Sequence, residues 1–289
     1  MPSTYNDLYL DARRILKKAD VESAALEARE IVCCASNKSK EEFFRDCRLY
    51  ASPEIEGRVQ DLLARRLQGE PVAYLVGEWE FYGLPLTITR DVLIPRDDTQ
   101  ILAEQAIAYL KECGQSVRVL DLCTGSGCIG IAIAAHVPDC RVVLADCSEA
   151  ALRVARTNVR VNHLQNRTAI MTADALQPPA SNFDGFQCIV SNPPYIPRGD
   201  LEGLDVSVRE YEPHLALDGG EDGLDFYRAI AQKWKQALLP GGKLMFELGI
   251  GQADAVMRLM RLEGFGDLEL YEDTQGISRV IAGTLYTEI

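Results

Sequence analysis

Ser191-Asn192-Pro193-Pro194-Tyr195-Ile196 gathers hydrogen-bond acceptors in a stretch that has lost two backbone donors. Each proline fixes its own φ and carries no N–H, so the carbonyls around them are held as rigid acceptors. A planar NH2 is a poor nucleophile because its lone pair is delocalised into the neighbouring π system. The Asn192 side-chain oxygen and the Pro193 carbonyl can each accept one hydrogen bond from such a group. They would position it and favour the pyramidal, partly positive nitrogen that develops as it attacks. Tyr195 would pack against the flat group. Asn192, Pro193, Pro194 and Tyr195 are therefore the candidate catalytic residues, and the chemistry they suit is alkylation of an amide or aniline-like nitrogen.

A second constellation supplies a place for the other reactant. Asp121-Leu-Cys123-Thr124-Gly125-Ser126-Gly127-Cys-Ile-Gly130 lies where an apolar strand should end and a helix begin. In open α/β sheets ligands bind outside the carboxyl ends of the strands, where a glycine turn admits them to the backbone. Asp146 closes the next apolar run, and a carboxylate there can accept from both hydroxyls of a ribose. Asp174-Ala175, at the end of the third run, either borders an adenine or caps a turn. These residues suit an adenosine-bearing cofactor and do not separate NAD from S-adenosylmethionine. A displacement at a methyl needs the nitrogen held in line and no strong base, so the clamp favours S-adenosylmethionine. A NAD-dependent oxidoreductase would leave Asn192 to Tyr195 without a job.

The elements that must position these residues follow from periodicity. Residues 1–71 read as a helical module. Leu8, Ala12, Ile15 and Leu16 share one face, Ala24, Ala25, Ala28, Ile31 and Val32 another, Ser39 with Glu42 forms a capping box, and Ser52-Pro53 opens a helix that Gly69 and Pro71 end. Residues 72–96, broken by Gly77 and Gly83, read as extended runs forming a β-hairpin linker. Residues 97–289 alternate apolar strands with amphipathic helices. Strands are expected at 117–122, 141–146, 169–172, 187–191, 243–248, 268–271 and 279–282, and helices at 128–136, 149–161, 224–239 and 252–262. That alternation predicts an α/β sheet with helices on both faces.

Composition narrows the partners. The 289 residues carry a net charge of −13, and residues 1–70 hold twelve Lys/Arg against thirteen Asp/Glu, so nearly all the excess acid lies in the α/β part. Binding to a free nucleic-acid backbone relies on clustered Lys and Arg, which this part does not offer, so no stable nucleic-acid binding is expected. No export signal or membrane span is visible, which predicts a cytoplasmic chain. The nine cysteines are expected to be buried reduced thiols. The three histidines are not spaced as metal ligands, and no metal is expected.

Further motifs extend the pattern across the chain: Glu70-Pro71-Val-Ala-Tyr74 with Gly77, Glu80-Phe81-Tyr-Gly83, Ile94-Pro95-Arg96 with Thr99, Asn158, Glu212-Pro213, Gly219-Gly220, Asp222-Gly223-Leu224 and Arg279-Val280. With Asp121 to Gly130, Asp146 and Asn192 to Tyr195, they resemble the HemK/PrmC-type glutamine N5-methyltransferases. The resemblance implies a class I S-adenosylmethionine-dependent methyltransferase, a Rossmann-like seven-stranded sheet whose last strand is antiparallel, with a small N-terminal helical domain that helps recognise the substrate. It implies S-adenosyl-L-methionine held by Cys123, Thr124, Gly125, Ser126, Gly127, Asp146, Asp174, Ala175 and Asn192. The implied acceptor is the glutamine of the Gly-Gly-Gln loop of a peptide chain release factor, met by a monomeric enzyme. Cys123 departs from the family's usual glycine, which a small side chain tolerates if the backbone angle is ordinary. Asp97-Asp98 replaces Pro-Glu, with a more mobile loop expected, and Ala175 replaces a larger residue.

Two rivals share the clamp: a ribosomal-protein glutamine methyltransferase and an adenine-N6 DNA methyltransferase. The second must extract its base from a duplex, and neither a target-recognition segment nor a basic catalytic part is visible. A non-catalytic adaptor would have no use for an intact clamp.

Overall fold

A computed structural model describes residues 2–114 and 116–286. Two compact units emerge, residues 1–78 with 206–211, and residues 79–205 with 212–289. The first begins with α1 (Tyr5–Lys18), α2 (Ala24–Ser36), α3 (Lys40–Asp46), α4 (Pro53–Leu67) and α5 (Val72–Val76). Thr4 and Ser39 start α1 and α3 with reciprocal capping boxes, and the Ser52 hydroxyl accepts from the Ile55 N–H at the head of α4. Their apolar faces meet in a core that includes Ala12, Leu16, Ala28, Ile31 and Val59. Buried Glu27 in α2 is met by the Arg66 guanidinium of α4, with Nε 2.5 Å from Oε2. Residues 72–76, expected to be extended, form the helical turn α5 instead. Pro71 stands at its N-cap and Gly77, at φ 78°, stops it.

The hairpin β1 (Glu78–Phe81) and β2 (Leu84–Thr87) precedes α6 (Thr99–Glu112), β3 (Arg118–Leu122), α7 (Cys128–His136), β4 (Arg141–Asp146), α8 (Glu149–Val161), β5 (Thr168–Thr172) and β6 (Phe186–Ser191). The short helix α9 (Val206–Arg209) packs within the first unit, where the Tyr211 hydroxyl donates to the Gln68 carbonyl. The chain ends with α10 (Asp225–Lys233), β7 (Leu238–Glu247), α11 (Ala253–Leu262), β8 (Phe265–Glu272) and β9 (Ser278–Leu285). Residues 234–237, expected to continue the helix of α10, tighten to a 3-10 turn that delivers Trp234 into the core.

Seven strands form one sheet in the order β5-β4-β3-β6-β7-β9-β8, parallel except for β9, which runs antiparallel to both its neighbours. A class I methyltransferase sheet has this order. The chain moves outward from β3 to β5 and then returns to β6 on the other side of β3, so β3 and β6 flank the switch point where such sheets bind ligands. The strands are apolar on both faces; Val119, Leu120, Leu122, Ile189 and Val190 have no measurable exposure. Tyr227, Trp234, Phe186 and Phe246 fill the core on one side.

Helix α7 is buried nearly all round and lies so close to β3 and β4 that a Cβ on Gly130 would run into Leu144 and sit 2.9 Å from Asp121 Oδ2. Gly130→Ala is expected to cost about 1–3 kcal/mol by overpacking, read as a lower urea midpoint at unchanged slope.

Candidate active site

The cleft lies at the carboxyl ends of β3, β4 and β6. Asp121, wholly buried at the end of β3, holds its glycine turn from beneath. Its Oδ2 accepts from the Thr124 hydroxyl at 2.6 Å and from the Gly130 N–H at 2.9 Å. Burial pushes the Asp121 carboxyl up to about 7, against those two hydrogen bonds. Asn158, buried in α8, ties the same turn to the hairpin: its Nδ2 donates to the carbonyls of Ser126 and Thr87, and its Oδ1 accepts from the Thr87 N–H.

Asp146 sits across the turn. Its Oδ2 accepts from the Gly125 N–H and its Oδ1 from the Ser148 N–H, both at 2.9 Å. One backbone bond to each oxygen fixes the carboxylate and leaves each oxygen further lone pairs. Desolvation raises its pKa, opposed by those backbone donors.

The third wall comes from β6. Ser191 Oγ donates to the Leu122 carbonyl at 2.6 Å, locking β6 beside β3 where the chains leave the sheet. Asn192 Nδ2 then faces Thr99 Oγ1 at 3.5 Å. Beyond it the backbone is braced by groups to which the motif gave no clue. Gln252 Nε2 donates to the Tyr195 carbonyl at 2.9 Å, while Gln252 Oε1 accepts from the Gly249 N–H. Residues 196 and 218 form a parallel bridge. Gly223, at φ 75°, lets the returning loop touch Tyr195, since a Cβ there would run into the Tyr195 carbonyl oxygen. Burial pushes the Tyr195 phenol up, so it stays neutral.

Of the candidate residues, Cys123, Thr124, Gly125, Ser126, Asp146, Ala175, Asn192 and Pro194 line one cleft. Gly127, Asp174 and Tyr195 do not, and Pro193 stands between two residues that do. Gly127 is the N-cap of α7 and packs toward Ile131. Exposed Asp174 caps a turn, its Oδ1 accepting from the Leu176 N–H at 2.9 Å, while the neighbouring Ala175 faces the cleft with its carbonyl accepting from Trp234 Nε1. Sequence reasoning missed Pro213, Leu215 and Phe226 in the walls. The first two belong to a loop pinned by buried Glu212, which pairs with Arg96 and accepts from the Ile94 N–H at 3.2 Å.

Two family models match, one described as PrmC N-terminal domain over residues 7–77 and one as Methyltransferase small domain over residues 98–206. A release factor glutamine methyltransferase of Geobacter sulfurreducens is 40% identical over 273 residues, 94% of each chain. The chain belongs to the release factor glutamine methyltransferase family. A family member from Thermodesulfovibrio yellowstonii is 37% identical over 88% of this chain and 90% of its own. A methyltransferase of Pyrococcus furiosus, 16% identical, aligns over 79% of this chain and all of its own with a TM-score of 0.52, which shows the shared fold.

Cys123 stands where the resemblance implies a glycine. Its φ is 63°, in the left-handed region, so the ordinary backbone angle that would make a side chain harmless there does not hold. A non-glycine residue in that region carries about 1–2 kcal/mol of strain. Asp98, by contrast, is tied down, with its Oδ2 3.0 Å from Arg279 Nη2. The cysteines are not uniformly buried: Cys33, Cys128, Cys140 and Cys188 are, whereas Cys147 is exposed at the cleft. No group of potential metal ligands occurs among the described residues.

Cys123→Gly should leave stability within about 1 kcal/mol of the parent, relief of strain offsetting lost chain entropy, whereas Cys123→Val should cost more than about 2 kcal/mol. Glu247, buried at the end of β7, is also pushed up to about 7 by desolvation. For Asp121 and Glu247 the folded pKa exceeds the unfolded one, so folding takes up protons. The associated stability is fully present below the unfolded pKa and is lost as pH rises through about 7. The melting temperature should therefore fall between about pH 5 and pH 8, and Asp121→Asn together with Glu247→Gln should flatten that slope.

Proposed function

We propose that this chain methylates the side-chain amide nitrogen of the glutamine in the Gly-Gly-Gln motif of a peptide chain release factor, using S-adenosyl-L-methionine. The observation that carries the reading is the meeting of Asn192 with Asp146 and the glycine turn around one cleft, in a chain of this family. The cofactor fits the residues present. Asp146 offers free lone pairs to ribose hydroxyls, the N–H-rich turn from Cys123 to Ser126 suits a carboxylate-bearing tail, and the small side chain of Ala175 leaves room for a flat base. When bound, S-adenosylmethionine supplies a methyl group on a positively charged sulfur.

The chain's own residues do the rest. Asn192 Oδ1 and the Pro193 carbonyl accept the two N–H bonds of the glutamine amide and orient its lone pair. As the nitrogen gains positive character both bonds strengthen, which lowers the barrier more than it tightens ground-state binding. Pro194 in the cleft wall and the rigid backbone after it keep the carbonyl from turning away. The proton lost from nitrogen passes to water.

Labelled S-adenosylmethionine, offered with release factor, a Gln→Ala release factor, ribosomal protein or duplex DNA, should label the intact release factor alone. Asn192→Ala should reduce that label by at least about 100-fold. Transfer to DNA or to the Gln→Ala protein would overturn the assignment. Asp146→Ala should weaken cofactor binding by about 10- to 100-fold in calorimetry, since two hydrogen bonds to a charged group disappear.

A further inference from the structure

Asn192 can serve as an acceptor only if its amide is turned the right way, because the two ends of a carboxamide have nearly the same shape and opposite hydrogen-bonding character. The group beside its nitrogen is the Thr99 hydroxyl, on the first residue of α6, 1% exposed and in the wall of the cleft. A hydroxyl can accept from Asn192 or donate to it, so Thr99 alone selects neither orientation. Beside the Thr99 side chain lies Glu247, the last residue of β7, 3% exposed, whose raised carboxyl pKa the Thr99 hydroxyl pulls back down. Glu247 Oε2 is buried without a hydrogen-bond partner among the described residues, an arrangement that costs stability and needs a reason. Parallel pairing of β6 with β7, ending at Ser191 opposite Phe246, sets Glu247 beside Asn192 in the fold.

Resting on the functional reading above, we infer that Glu247 and Thr99 are positioning residues that fix the Asn192 amide with its oxygen toward the substrate nitrogen. An ionised carboxylate only accepts hydrogen bonds, so it draws the Thr99 proton to itself. The Thr99 oxygen is then left with lone pairs toward Asn192, and these take the Asn192 NH2. Asn192 Oδ1 faces the other way as the acceptor. Reversal of the amide would set two N–H donors against the incoming NH2 of the glutamine and expel it. Neither Glu247 nor Thr99 touches the reacting nitrogen in this scheme; each acts through Asn192.

The test uses the full-length chain and intact release factor at pH 8, with Thr99→Val, Thr99→Ser and Glu247→Gln, each alone and combined with Asn192→Ala. Calorimetry of S-adenosylmethionine binding, expected within about twofold of the parent for the single Thr99 and Glu247 variants and within about twofold of Asn192→Ala for the combined ones, reports that each is folded with its cofactor end intact. Thr99→Val should lower kcat by about 10- to 100-fold, Thr99→Ser should restore it to within about threefold, and Glu247→Gln should fall between them, because its amide can donate as well as accept. In the Asn192→Ala background neither Thr99→Val nor Glu247→Gln should lower the residual rate further. A parent chain that methylates release factor beside a Thr99→Val variant of unchanged kcat overturns the inference alone, as does a full additive loss in the Asn192→Ala background. A parent chain that transfers no methyl to release factor overturns the functional reading and the inference together.

Discussion

Leu122 and Ser191 are the last paired residues of two parallel strands whose chains then part in opposite directions. Everything chemical in the protein depends on that divergence. The chain leaving Leu122 turns through Cys123 to Gly127 into α7, and the chain leaving Ser191 stiffens at once into Asn192-Pro193-Pro194. A crevice must open between them, and the Ser191 hydroxyl on the Leu122 carbonyl holds its floor closed at 2.6 Å. A cofactor turn and an acceptor clamp thus come within reach of each other from residues some seventy apart in sequence.

Polar groups buried around that crevice are kept for geometry at the expense of stability. Asp121 and Glu247 are carboxyls with almost no exposure, each with one oxygen lacking a partner among the described residues, and burial raises the pKa of both. An apolar side chain would pack more favourably in either place. Asp121 nevertheless keeps the glycine turn and the first turn of α7 in register, and Glu247 stands behind the Thr99 hydroxyl. Strain at Cys123, where φ is 63°, lies on the same rim. The cleft is assembled from costs that the apolar strands beneath it offset.

The far side of the clamp shows the same logic by other means. Gln252 bridges the Tyr195 carbonyl to the Gly249 N–H, and the loop carrying Gly219 and Gly223 pairs with residue 196 through backbone bonds. The two prolines remove donors from the clamp, and these neighbours supply the hydrogen bonds the adjacent backbone still requires. Rigidity at Asn192 to Tyr195 is therefore a property of three segments distant in sequence.

How much of this was legible beforehand depended on the range of the forces involved. Strand and helix positions at 141–146, 128–136 and 149–161 followed from local periodicity, and the caps at Ser39 and Ser52 from contacts within one helical turn. Asn192, Asp146 and the glycine turn were readable because their types and spacings carry chemistry on their own. Residues 72–76 were misjudged because a five-residue apolar run has no length in which a helical period can show. The left-handed angle at Cys123, the turning of Asp174 to cap Leu176, and the brace of Gln252 were decided only by tertiary structure. So was the placing of Thr99 and Glu247 behind Asn192, for a buried carboxyl gains its partners from sheet pairing, and no spacing along the chain encodes which strand will lie next to which.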